Sequence, residues 1–171
     1  MFIANNWKDY EVIDTSEGEK LERWGTYLLV RPDPQVIWNT PKKEKGWRKM
    51  NGHYHRSSKG GGEWEFFDLP QQWQIQYESP SFKQPLTFNL KPFSFKHTGI
   101  FPEQATNWDW FGHLISEKVK KNPDKPVKVL NLLPIPAVQP LPQLLPVHMS
   151  PMLTLPKALL HGQRKMRHPP D

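Results

Sequence analysis

Five prolines, Pro134, Pro136, Pro140, Pro142 and Pro146, lie so close together that no helix can run across them. They come after Val127-Lys128-Val129-Leu130-Asn131-Leu132, an apolar run that reads as a buried strand of the kind that opens a parallel α/β sheet. Such a strand should lead into a turn and a helix. Instead, Pro134 to Asp171 holds 9 of the chain's 19 prolines, with abundant leucine and glutamine and Gly162 as the only glycine. The character of the sequence therefore changes at about Leu132. The segment beyond it can be read as a polyproline tail for partner binding. Its many leucines weaken that reading, because a solvated linker would avoid them.

Ahead of the break the chain is β-rich and then helical. Tyr10 to Ile13 alternate weakly, Ser16-Glu17-Gly18 signals a turn, and Trp24 to Val30 is a strong strand candidate ended by Pro32. Val36-Ile37-Trp38 is a short apolar run closed by Pro41. Glu63 to Leu69 and Trp73 to Tyr77 alternate and carry aromatics, and Phe82 to Phe95 supplies one or two further strands. A small twisted antiparallel sheet is expected. After Pro102 the period switches, with Trp108, Phe111, Leu114, Ile115 and Val119 at helical spacing. Pro102-Glu103 suits a first turn, Lys118, Lys120 and Lys121 suit the last, and Asn122-Pro123-Asp124 stops the helix. Trp108 and Trp110 read as packing residues. The expected fold class is α+β. A β-rich domain spans residues 1–95, the start of an α/β domain spans 96–133, and a disordered tail spans 134–171.

Charge narrows the partners. The net charge is +6, and about half of it comes from Lys157, Arg164, Lys165 and Arg167 in the tail. Within a segment spanning residues 42–62 lie Lys42, Lys43, Lys45, Arg48, Lys49, Arg56 and Lys59, interleaved with Trp47, His53, Tyr54 and His55. It ends in a flexible Ser-Lys-Gly turn and reads as an exposed basic loop. Its cations could meet nucleic-acid phosphates while Trp47 and Tyr54 stack on bases; the plainer alternative is a solvated charge run. His53 and His55 are two apart with no third ligand beside them, so no metal is expected. The chain has no cysteine, which excludes disulfides and thiolate sites. With no secretory-type leader and no apolar run of spanning length, a cytoplasmic protein without a membrane partner is expected. No nucleophile with a neighbouring base stands out.

Several separate motifs agree in order with one family. They are Leu21-Glu22-Arg23-Trp24-Gly25, Arg31-Pro32-Asp33-Pro34, His53-Tyr54-His55-Arg56-Ser57-Ser58-Lys59-Gly60-Gly61-Gly62 and the stretch from Phe95 to Trp110 (FKHTGIFPEQATNWDW). From Trp7 to Leu132 the chain resembles bacterial class I S-adenosylmethionine-dependent methyltransferases, the group related to ribosomal RNA cytosine methyltransferases. The resemblance implies a β-rich domain ahead of a Rossmann-like catalytic domain, S-adenosylmethionine as cofactor and RNA as partner. It implies that Thr98, Gly99, Phe101 and Gln104 line the cofactor pocket, and that Lys128 to Leu132 is the first catalytic strand. In the family a glycine turn comes after that strand, because glycine lets the backbone approach the cofactor closely. Here Leu133-Pro134-Ile135-Pro136-Ala137-Val138 stands in its place.

The genetic code offers an explanation. When each new codon takes the last base of one codon and the first two of the next, every X-Pro pair gives Ala, Thr, Ser or Pro. Residues 133–138 can then spell A-Y-T-G-G, and residues 138–158 an alanine-rich run and then a strand ending in an acid. A one-base frame change near Leu132 or Leu133 would thus have replaced the catalytic domain, leaving a chain expected to be inactive and to bind no S-adenosylmethionine. The alternative is a stand-alone RNA-binding β module with a proline-rich tail. Either way the helix after Pro102 is expected to expose apolar surface that would pack against absent elements.

Overall fold

The structure, a computed structural model, describes residues 3–93, 95–125 and 127. The strand expected at 127–132, beyond its first residue, and the tail at 134–171 lie outside the described residues. Among the described residues the architecture is α+β, with a five-stranded sheet, a separate two-stranded ribbon and one α-helix.

Strands β1 (Tyr10–Ser16), β2 (Glu19–Trp24) and β3 (Tyr27–Pro32) form an antiparallel meander. Glu17 and Gly18 join β1 to β2 with φ of 54° and 77°. Positive φ at both central residues matches the right-handed twist of the flanking strands, as in a type I′ turn. The expected single strand from Trp24 to Val30 is instead broken. Trp24 pairs with Tyr27 across a two-residue turn in which Gly25 takes a φ of 66°. Only glycine enters that region without steric cost, so one apolar run becomes the end of one strand and the start of the next.

Strand β3 then pairs in parallel with β4 (Gly52–Arg56) over Leu29–Gly52 and Val30–His53. The sheet is therefore not purely antiparallel as expected. The connection from Asp33 to Asn51 is long enough to cross over, and it carries a 3-10 turn at Lys45–Arg48. Strand β5 (Gly62–Phe66) closes the sheet as an antiparallel partner of β4. The segment at 42–62 is thus not one loop: it holds a 3-10 turn, a whole strand and a hairpin.

The ribbon of β6 (Trp73–Tyr77) and β7 (Leu86–Leu90) alternates strictly between buried and exposed positions. Trp73–Leu90, Ile75–Phe88 and Tyr77–Leu86 pair on the inner face, while Gln74–Asn89 and Gln76–Thr87 face outward. Helix α1 (Ala105–Lys121) begins after a 3-10 turn at Pro102–Gln104, with proline at the first position, where no backbone donor is needed. It buries Ala105, Trp108, Gly112 and Ile115. A Cβ at Gly112 would meet Phe82 Cε1 at 2.9 Å, so glycine sets how close the helix lies to the 79–82 turn.

Two clusters form the core. The larger joins Trp7, Trp24 and Leu29 to the inner faces of β6 and β7 and to Ile100, Ala105 and Trp108. The smaller lies on the other side of the meander, where Leu21 and Val30 pack on Trp47. Trp110 is 58% exposed and Leu114 is 49% exposed, so Trp110 is not the packing residue expected of it. The helix turns these side chains away from both clusters, in line with the apolar exposure expected of it. No described helix is long and apolar enough to cross a membrane.

Candidate functional site

The sequence points to two places: the turn from Thr98 to Gln104 and the basic stretch from Lys42 to Lys59. The first is positioned by a buried ion pair. Glu22 on β2 and Arg31 on β3 sit on one face of the meander, Arg31 lying opposite Lys20 and diagonal to Glu22. Arg31 Nε donates to Glu22 Oε2 at 2.6 Å, and Nη2 donates to Oε1 at 2.9 Å. The Tyr10 hydroxyl adds a bond to Oε1 at 2.7 Å, and the Arg31 guanidinium lies 5.0 Å from the Trp24 ring centre. Its remaining Nη1 reaches out to the Lys96 carbonyl at 2.8 Å. Lys96 Nζ in turn donates to the Pro32 carbonyl at 3.0 Å. The motifs around Glu22 and Arg31 therefore do one structural job, which is to tie the approach to Thr98 onto the meander.

Burial pushes the Glu22 carboxyl up. The charge and hydrogen bonds of Arg31, with help from Lys20 and Tyr10, outweigh that and hold it below the usual carboxylate range. Burial likewise pushes the Tyr10 phenol up, and the adjacent Glu22 charge adds to it. Burial and the neighbouring Arg31 and Lys96 charges push His97 down, so it favours the neutral imidazole.

Past that anchor the backbone turns back. Lys91 and Phe93 amides donate to the Thr98 and His97 carbonyls at 3.1 Å each. Thr98 is completely buried, and its Oγ1 has no hydrogen-bond partner among the described residues. Gly99 takes a φ of 113°, a region that side-chain-bearing residues avoid. Phe101 packs edge-on to His97 at 5.1 Å, and Gln104 Oε1 accepts from Asn107 Nδ2 at 2.9 Å. Trp7 Nε1 closes the turn on the Pro102 carbonyl at 3.0 Å. All four residues expected to line a cofactor pocket thus share one turn at the start of α1.

Fit to S-adenosylmethionine is only partial. A turn with a positive-φ glycine and an orphaned hydroxyl can lie against a ligand, but Thr98 is enclosed on every side. Among the described residues no glycine turn leads from a strand into a helix beside it, since Gly18 and Gly25 both join strand to strand. These residues can form one wall of a pocket.

The basic stretch divides. Lys43, Lys45, Arg48, Lys49, Arg56 and Lys59 are exposed, and a surface concavity of about 420 Å³ opens among Lys42, Lys43, Glu44, Lys45, Arg48 and Lys49. Lys42 is committed elsewhere: its ammonium pairs with Glu17 at 3.1 Å and Glu19 at 2.9 Å, 4.5 Å from the Trp47 ring centre. Trp47 is 8% exposed, packs on Leu21 and Val30, and donates from Nε1 to Asp14 at 2.8 Å. Tyr54 is 3% exposed and edge-on to Trp64. Base stacking by Trp47 and Tyr54 is therefore ruled out for this conformation, because their rings are spent on the core.

One grouping is invisible in the sequence. Pairing of β4 with β5 puts Glu65 directly opposite His53, so His53, His55 and Glu65 converge on one face. The two-residue spacing of the histidines is the visible signal; the third member can be found only from the strand register.

No protein-family model matches the sequence, and no curated protein matches it. Among solved structures, the chain is similar to a SAM-dependent methyltransferase from Agrobacterium tumefaciens, with 30% identity and a TM-score of 0.58. The similarity covers 74% of this chain and 37% of that enzyme, so the chain spans little more than a third of that enzyme's length. Its α+β arrangement is that of part of a SAM-dependent methyltransferase-like fold.

Proposed function

We propose that the chain is the front part of a SAM-dependent methyltransferase of the ribosomal RNA-methylating kind, and that a frame change after Leu132 removed its catalytic capacity. The similarity to the Agrobacterium SAM-dependent methyltransferase carries the reading. It is supported by the turn at Thr98, Gly99, Phe101 and Gln104, which offers a single wall where the parent enzyme would complete a pocket. S-adenosylmethionine, when bound, supplies an activated methyl group. The residues of this chain would position it through the Gly99 backbone and the half-buried Phe101 and Gln104. Without a glycine turn after Leu132 the present chain neither retains the cofactor nor transfers methyl.

Two measurements test this. The coding DNA across codons 128 to 160 should spell A-Y-T-G-G when shifted by one base. Calorimetric titration of the present chain with S-adenosylmethionine should give no binding, while a frame-restored chain, extended by the downstream codons, binds at micromolar concentration. Micromolar binding by the present chain overturns the inactivity. A gene that cannot spell the glycine turn in either shifted frame overturns the frame change.

RNA as partner rests on the exposed cations around the Lys43–Lys49 concavity, and the chemistry is phosphate contact, not stacking. Replacing Lys45, Arg48 and Lys49 together by alanine should weaken binding of a single-stranded RNA about equally across sequences. It should flatten the plot of log K against log salt by roughly 2, since each lost phosphate contact accounts for about 0.7. A slope left unchanged would sink this assignment. The stand-alone RNA-binding module is the competing reading. It predicts the same salt slope but no cofactor binding by the frame-restored chain.

A further inference from the structure

We propose that His53, His55 and Glu65 form a binding site for a divalent transition-metal ion of the zinc class on the β4–β5 hairpin. The strand period of two places His53 and His55 on the same face, with Tyr54 between them directed into the core. Their rings lie 4.0 Å apart, centre to centre. Glu65 stands opposite His53 in the ladder, and the candidate ligand atoms of all three residues lie within 4.8 Å of one another. The ladder itself holds these positions, so the donors are brought together by backbone hydrogen bonds and not by a mobile loop.

The donor chemistry suits a borderline cation. Two imidazoles and one carboxylate are a common set for zinc, with metal–ligand distances of about 2.0–2.2 Å. At present His55 Nε2 and Glu65 Oε2 lie 2.9 Å apart, the distance of a hydrogen bond. A tetrahedral metal needs its ligand atoms about 3.3 Å apart at those bond lengths. The cation can therefore enter between them with a small separation of two half-exposed side chains. His53 is already oriented. Its Nε2 lies 2.7 Å from Glu19 Oε1 on β2. A ring that donates Nε2–H to a carboxylate presents the lone pair of Nδ1, the arrangement in which metal-bound histidines are usually held. Lys42 shares Glu19, at 2.9 Å to its other oxygen, and keeps that carboxylate in place without occupying the imidazole. His55 and Glu65 are exposed, so water can complete the coordination. The bound ion would clip β4 to β5 beside the glycine-rich turn.

The test uses the full, untagged chain and ZnCl2. Calorimetry should show one ion bound per chain at micromolar concentration or tighter, with a rise in melting temperature because the folded chain alone offers the site. His55→Ala and Glu65→Gln should each weaken binding at least about tenfold, since even outer partners of a metal ligand are worth 10–100-fold. Both positions are exposed, and unchanged circular dichroism would confirm that the variants fold. His113→Ala, on α1, should leave the affinity unchanged. An affinity left unchanged by His55→Ala or by Glu65→Gln belongs to other donors and overturns the site, as does the absence of binding below millimolar zinc.

Discussion

Replacing Arg31 by methionine is expected to destabilise the chain by about 3–5 kcal/mol, because it strands a buried carboxylate. Glu22 is fully buried, and Arg31 supplies two of its hydrogen bonds at 2.6 and 2.9 Å. What remains, the Tyr10 hydroxyl at 2.7 Å, Lys20 at 3.3 Å and a long bond from Trp24 Nε1 at 3.4 Å, cannot replace a bidentate guanidinium. The same substitution frees the Lys96 carbonyl, so the turn at Thr98 should loosen as well. Urea unfolding monitored by tryptophan fluorescence reads the loss, and a cost under about 1 kcal/mol would show that the pair is dispensable. Combining Arg31→Met with Glu22→Leu should recover much of the stability, since removing both charges together leaves none unpaired.

The pair also sets the acid limb. Arg31 holds the folded Glu22 below the usual carboxylate range, so its contribution is fully present above the ordinary glutamate value of about 4.3. It is lost as pH falls through the lower folded value. In Arg31→Met the sign reverses: burial then dominates, the carboxyl is pushed up, and acid should relieve the variant while it weakens the parent. Parallel acid limbs for the two proteins would contradict the assignment of Arg31 as the dominant partner.

Trp108→Ala should cost about 3–5 kcal/mol, the usual range for deleting a large buried aromatic. Trp108 is 3% exposed. Its ring stacks on Phe88 at 5.1 Å and meets Tyr77 at 5.7 Å and Trp7 at 6.0 Å. These contacts join α1 to the β6–β7 ribbon and to the start of the chain. Their loss should release the helix ahead of the sheet. Hydrogen exchange should then show Ala105–Lys121 opening at lower free energy than β2 and β3. Trp110→Ala is the control. At 58% exposed it should change stability by no more than about 0.5 kcal/mol. Equal losses at the two positions would mean that α1 is docked by a different face.

Much of the fold is legible in the chain itself. Alternation at Trp73–Tyr77 identifies β6 to the residue, and the switch to helical spacing after Pro102 identifies α1. Both are local patterns, written wherever one face of an element is buried and the other is wet. Misses come where the outcome depends on distant residues. The run from Trp24 to Val30 looks continuous, yet Gly25 breaks it because Trp24 must pair back with Tyr27. Trp47 and Tyr54 sit among lysines and arginines and read as surface, but Leu21, Val30 and Trp64 lie waiting in space to cover them.

The sequence by itself carries the change of composition at about Leu132, with its closely spaced prolines, and the motifs on which the resemblance to methyltransferases rests. It also placed Thr98, Gly99, Phe101 and Gln104 together, because neighbours in the chain stay neighbours in space. Only the tertiary structure decided which cations are free, what Glu22 and Arg31 do for one another, and that Glu65 meets His53 and His55. Each of those depends on strand register. Register is set by the burial of whole faces against one another, and no short window of sequence contains it.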